Sequence, residues 1–150
     1  MKQAITSRKE IALLVNEFYQ SVRADALLGP IFNGAIAEEE WTSHIEKHID
    51  FWEGHLLGTA KFKGNPKAAH QKVDKQIHYG MEQYHFGQWL NLWFDTIERL
   101  FEGPNAEKAK NTARQMASGL YLAAWRARPE RHGGPKKQSF TPIVPPTGNQ

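Results

Sequence analysis

Four of the eight prolines, at positions 30, 66, 104 and 129, stand between stretches whose apolar residues recur every three or four positions, and none falls inside one. A proline inside a helix costs about 3 kcal/mol, because it removes a donor and crowds the preceding turn; this placement therefore leaves several uninterrupted helices as the natural fold. Ser7-Arg8-Lys9-Glu10 has the form of a capping box, and Ile11, Leu14, Val15, Phe18 and Val22 follow on one side, predicting a first helix that ends near Asp25. A second starts near Glu38, carries Trp41, Ile45, His48, Ile49, Trp52 and Leu56 on one face, and closes at Gly58 and the Gly64-Asn65-Pro66 turn. After a less regular stretch, a third buries Phe86, Trp89, Leu90, Trp93, Ile97, Leu100 and Phe101 and stops at Gly103-Pro104. The fourth, from Asn105 to about Ala127, presents Ala109, Ala113, Met116, Ala117, Leu120, Tyr121 and Ala124, small side chains that let helices approach closely. No useful strand alternation and no internal repeat is present, so the fold class is all-α.

A chain of 150 residues hides about 68–70% of its unfolded surface, enough for one core. The formal charge is +3 and the pI is near 9.2. The excess comes from Arg131, Lys136 and Lys137, and residues 1–130 hold 16 basic against 16 acidic side chains. That balance gives no basic face for nucleic acid. Residues 1–130 are read as the folded domain. Residues 131–150, with three glycines, four prolines and little to bury, are read as a disordered tail. No apolar run reaches the roughly 20 residues that cross a bilayer, and no secretory leader precedes Ser7. A monomeric cytoplasmic protein is the expectation. The absence of cysteine excludes disulfides, iron–sulfur ligation, thiolate nucleophiles and covalent haem attachment.

Histidine and aromatic residues are the informative types. His44 and His48 stand at i and i+4 on the second helix and could share a metal ion, although no third ligand is evident and no H-E-x-x-H pattern occurs. For His48 and His55 the ordinary reading is a satisfied or half-exposed side chain. Phe18, Trp41, Phe51, Trp52, Phe86, Trp89, Trp93 and Phe94 lie on or beside the buried stripes. They can form a plain core, or line a flat apolar pocket into which Tyr19, His44 and the Trp89 indole point. Val15 and Val22, four before and three after Tyr19, turn its hydroxyl toward the interior, where it needs a partner.

Four blocks in order resemble the truncated haemoglobins, specifically group III. They are Phe18-Tyr19-Gln20-Ser21-Val22-Arg23-Ala24-Asp25 with Leu28-Gly29-Pro30-Ile31-Phe32; Trp41-x-x-His44 with Phe51-Trp52; Gly64-Asn65-Pro66-x-x-x-His70; and His85-Phe86-x-x-Trp89-Leu90-x-Leu92. Glycine pairs that groups I and II carry near the first helix junction and before the proximal histidine are missing, since Gly133-Gly134 is the only pair here. The resemblance spans about residues 11–125. It implies a two-over-two helical sandwich around a non-covalent haem b.

Residue by residue, the resemblance places the proximal iron ligand on His70, with His78 as the alternative if the polar stretch before Trp89 is misaligned. It places the distal residues on Tyr19, His44 and Trp89, and Phe51, Trp52, Phe86 and Trp93 are expected beside the cofactor. Hydroxyl, imidazole and indole donors suit the negative charge that dioxygen acquires on iron. Tight holding of dioxygen, nitric oxide, carbon monoxide or peroxide then points to oxidation of nitric oxide or reduction of peroxide, with an unidentified reductase, rather than storage. A haem-based sensor or haem carrier acting through a partner is the other expectation.

Overall fold

Helices α1 (Arg8–Ala24), α2 (Gly29–Ala35), α3 (Trp41–Leu57), α4 (Pro66–Gln76), α5 (Gln83–Leu100) and α6 (Pro104–Arg126) follow one another in a computed structural model that describes residues 2–136. Helix α1 packs on α3 and α5 on α6, while α1 also meets α5 and α3 meets α6. Two helix pairs thus lie across each other, the sandwich expected from sequence. Among the described residues there is no strand, only one bridge where Gln3 pairs beside Phe101. No helix among them is long and apolar enough to cross a membrane.

The four long helices form where the apolar spacing placed them. The Glu10 carboxylate caps α1 by accepting from the backbone N–H groups of Thr6 and Ser7 at 3.0 and 3.1 Å and from their hydroxyls at 2.8 and 2.7 Å. These bonds hold its pKa down to about 2. Prolines 30, 66 and 104 start helices rather than merely separating them, since each occupies one of the first two positions, where no intrahelical N–H bond is lost. The centre of the core is Trp93, stacked on Trp52 at 4.5 Å and meeting the Phe18 edge at 4.9 Å. The Ala106, Ala109, Ala113 and Ala117 stripe of α6 lies buried opposite. Small residues there let the Trp93 indole N–H reach the Ala109 carbonyl at 3.2 Å.

Two helices escape the periodicity, and both position the site. Helix α2 has only seven residues, too few for a repeating stripe. It is turned back by Asp25, whose carboxylate accepts from the Leu27 and Leu28 N–H groups at 3.1 and 2.9 Å and from the Gln88 amide at 2.8 Å. Gly29 begins α2 against α1 so closely that an added Cβ would lie 2.7 Å from the Arg23 carbonyl oxygen. Gly29→Ala is expected to cost about 1–3 kcal/mol in a urea titration, since backbone must move to relieve the clash. An unchanged midpoint would show that the junction relaxes freely.

Helix α4 lies in the stretch that reads as irregular. Asn65 caps it by accepting from the Ala68 N–H at 3.1 Å, and Pro66 opens its first turn. It ends in two consecutive left-handed residues, His78 (φ 56°) and Tyr79 (φ 60°). This costly turn is held by Asp74, 1% exposed, whose carboxylate accepts from Met81 N–H at 3.0 Å and from two Arg128 nitrogens at 2.8 and 3.0 Å. Arg128 also donates to the Met81 carbonyl.

Ordered chain continues past residue 130. Glu130–His132 forms a 3-10 turn, His132 lies 4.7 Å from the Tyr79 ring, and the Trp125 indole donates to the Gly133 carbonyl at 3.0 Å. The expectation of disorder for residues 137–150 lies outside the described residues.

Candidate functional site

Helix α3 carries two adjacent stripes, and their division is what makes a site. Ile49, Trp52 and Leu56 point into the core and are buried, while Trp41, His44, His48, Phe51 and His55 recur at i, i+3, i+7, i+10 and i+14 along the neighbouring stripe. The first three of these meet Tyr19 of α1. Its ring lies 5.8 Å from Trp41 and 5.2 Å from both His44 and His48, and the two imidazoles are 4.2 Å apart. Phe18, next in sequence, meets Trp89 edge-on at 5.4 Å and so ties α5 to the same region.

Tyr19 is 3% exposed, and burial raises its hydroxyl pKa, so it remains a protonated donor. No hydrogen bond to that hydroxyl forms among the described residues. The interior placement expected from Val15 and Val22 is therefore found, but the expected partner is not supplied by the protein. Three buried polar atoms among the described residues have no hydrogen-bond partner, and two of them, His44 Nε2 and Trp41 Nε1, belong to rings that meet Tyr19; the third is Thr59 Oγ1. Orphaned buried donors are costly unless something else occupies the space they face. Trp41 was not singled out as a site residue from sequence. Its indole is held from outside by the Arg23 guanidinium, 4.4 Å over the ring.

His70 stands on α4, half-buried, with Nδ1 2.7 Å from the Pro66 carbonyl. A carbonyl only accepts, so the proton is on Nδ1 and the Nε2 lone pair is free; this is the arrangement by which a metal-binding imidazole is oriented. Desolvation lowers the His70 pKa and keeps the ring neutral. Desolvation is also the main cause for His44, brought down to about 3, and for His48, with like positive charge on neighbouring groups, Lys47 and His70 among them, adding to both. The described residues hold no group of three His, Cys, Asp or Glu side chains close enough to share a metal ion, so a His44–His48 pair completed by a third such ligand is not formed.

The other candidates separate clearly. His78 is exposed in the left-handed turn that follows α4. Phe86, half-buried, tilts over His70 at 5.9 Å and meets Tyr121 at 5.8 Å. Phe51 lines a cavity of about 230 Å³ with Gly54, His55, Thr59, Ala60 and Phe62. Trp52 and Trp93 are 2% and 0% exposed, packed behind Phe18 and Trp89, and the Trp93 N–H is already bonded. They support the wall of the site from within the core. Trp89, half-buried, stacks parallel on Trp93 at 6.0 Å and keeps its indole N–H free of protein partners among the described residues.

No family model matches the chain. It is 35% identical over 119 residues to the group 3 truncated hemoglobin ctb of Campylobacter jejuni, a match covering 78% of this chain and 87% of that protein. The crystal structure of a group III truncated hemoglobin from Campylobacter jejuni agrees with a TM-score of 0.71 at 33% identity, over 80% of this chain and 92% of that one. Shared sequence over nearly the whole length of the relative, in the same helical frame, means that this chain belongs to the group III truncated haemoglobins.

Proposed function

We propose that the chain holds non-covalent haem b through His70 Nε2 and binds dioxygen and other diatomic ligands beside Tyr19, His44 and Trp89. The observation that carries this reading is the His70–Pro66 hydrogen bond, which commits Nδ1 and in the neutral ring leaves the Nε2 lone pair free, and the orphaned His44 and Trp41 nitrogens on α3 support it. When bound, haem supplies an iron that takes dioxygen, nitric oxide, carbon monoxide or peroxide. His70 holds it from α4, Phe86 packs over the imidazole, and Phe51 offers apolar surface on α3.

On the distal side Tyr19 donates its proton in a hydrogen bond without first breaking one inside the protein. Burial makes that bond stronger than it is in water. The Trp89 indole donates from α5, and neutral His44 donates or passes on a proton at Nε2. Several donors on one ligand favour tight holding, which suits oxidation of nitric oxide or reduction of peroxide more than storage; a separate reductase supplies the electrons.

An absorption spectrum of the purified full chain, with haem titrated to one equivalent, tests the cofactor. The donors are tested by stopped-flow. A hydrogen bond to a charged acceptor contributes about 1.5–3 kcal/mol, and each 1.4 kcal/mol is about tenfold. Tyr19→Phe is expected to speed dioxygen dissociation about ten- to a hundredfold and to change carbon monoxide, which carries little charge, far less. Trp89→Phe acts in the same direction, and the double variant is non-additive if both serve one ligand. Equal changes for both gases mean altered access instead, and no change for either leaves these side chains as core.

A further inference from the structure

His48 is prepared in the same way as His70. Its Nδ1 donates to the carbonyl four residues back, His44 O, at 2.8 Å, as His70 does to Pro66 O at 2.7 Å. In the neutral form of each ring the proton is on Nδ1, so Nε2 is unprotonated, and no side chain among the described residues is bonded to it. An unprotonated nitrogen cannot donate a hydrogen bond to a gas ligand, so His48 differs in kind from Tyr19, Trp89 and His44. It can only accept a proton or bind a metal. Tyr19 meets the ring edge-on at 5.2 Å and the His44 ring lies 4.2 Å away, yet no side-chain hydrogen bond joins either of them to His48. The residue stands one turn beyond His44 on the stripe of α3 that faces Tyr19.

We infer that His48 Nε2 is a distal iron ligand that occupies the position opposite His70 until an incoming gas displaces it. This rests on the haem reading above. The bond is a lone pair shared with iron: no proton moves, since Nδ1 already holds it, and no electron is transferred. Gas binding then requires His48 to leave first. The ring is anchored by the His44 carbonyl whether bound or released, so release needs only a small side-chain movement.

Competition of this kind lowers apparent affinity by the fraction of protein that is open. If about nine-tenths of the chain is closed by His48, His48→Leu raises apparent carbon monoxide affinity about tenfold. In the wild-type chain loaded with haem, electron paramagnetic resonance and absorption spectra without added ligand should show low-spin ferric iron with two imidazoles. Carbon monoxide association should level off at high gas concentration, at the rate of His48 release. His48→Leu and His48→Gln should both become high-spin and lose that plateau, while His44→Leu stays low-spin. A high-spin wild-type spectrum overturns the inference without needing any variant to fold, and so does a low-spin state lost in His44→Leu but kept in both His48 variants. A wild-type chain that takes up no haem overturns the haem reading itself, and this inference with it.

Discussion

Replacing His70 by alanine is expected to abolish stable haem retention in the full chain, with added imidazole restoring it. The side chain is oriented by its bond to Pro66 and enters the site from α4, which Asn65 caps and Pro66 starts. No other residue on that helix offers a comparable free nitrogen. The test is run under carbon monoxide, which on the inference above displaces His48 and leaves His70 as the protein ligand. The measurement is transfer of haem to an excess of an apo-globin trap, followed by absorption. His78→Ala is the control, since that ring is exposed in the turn after α4, and retention should stay at the wild-type level. Normal retention in His70→Ala together with loss in His78→Ala would move the ligand to the turn.

Arg128→Ala is expected to lower stability by about 3–5 kcal/mol, the usual effect of leaving one member of a buried ion pair without its partner. Arg128 is 5% exposed and Asp74 1%, so water cannot take over the lost contacts. The guanidinium pKa is raised, chiefly by its hydrogen bonds to Asp74. The pair also holds Met81, and through it the strained turn at His78 and Tyr79 between the helix of His70 and the helix of Trp89. Loss of the arginine should therefore loosen α4 as well as destabilise the whole. Urea unfolding of the haem-free chain gives the first quantity, and amide hydrogen exchange in residues 66–82 gives the second. A loss below about 1 kcal/mol would mean that solvent reaches the Asp74 carboxylate after all.

The four long helices could be read in advance because each buries a stripe against one broad core, and a stripe of 17 to 23 residues repeats often enough to be recognised. The proposed site residues Tyr19, His44, His70 and Trp89 are legible together only through the resemblance to a family. Spacing left His44 and His48 open between a metal pair and ordinary side chains. It left Trp93 open between plain core and pocket lining, and packing buries it fully with its N–H donated to the Ala109 carbonyl. Helix α4 was hidden because its buried surface is small and its key interior residue is an aspartate, which no hydrophobic pattern marks.

What the sequence determined by itself was the helical class and the existence of α1, α3, α5 and α6, set by local spacing, capping and composition. Only the tertiary structure decided which face of α3 meets Tyr19, that Asp74 finds Arg128 across 54 positions, and that the Nδ1 atoms of His48 and His70 are both committed to backbone carbonyls. These are contacts and proton positions, and their energies depend on burial and on partners from other helices, which a one-dimensional pattern does not contain.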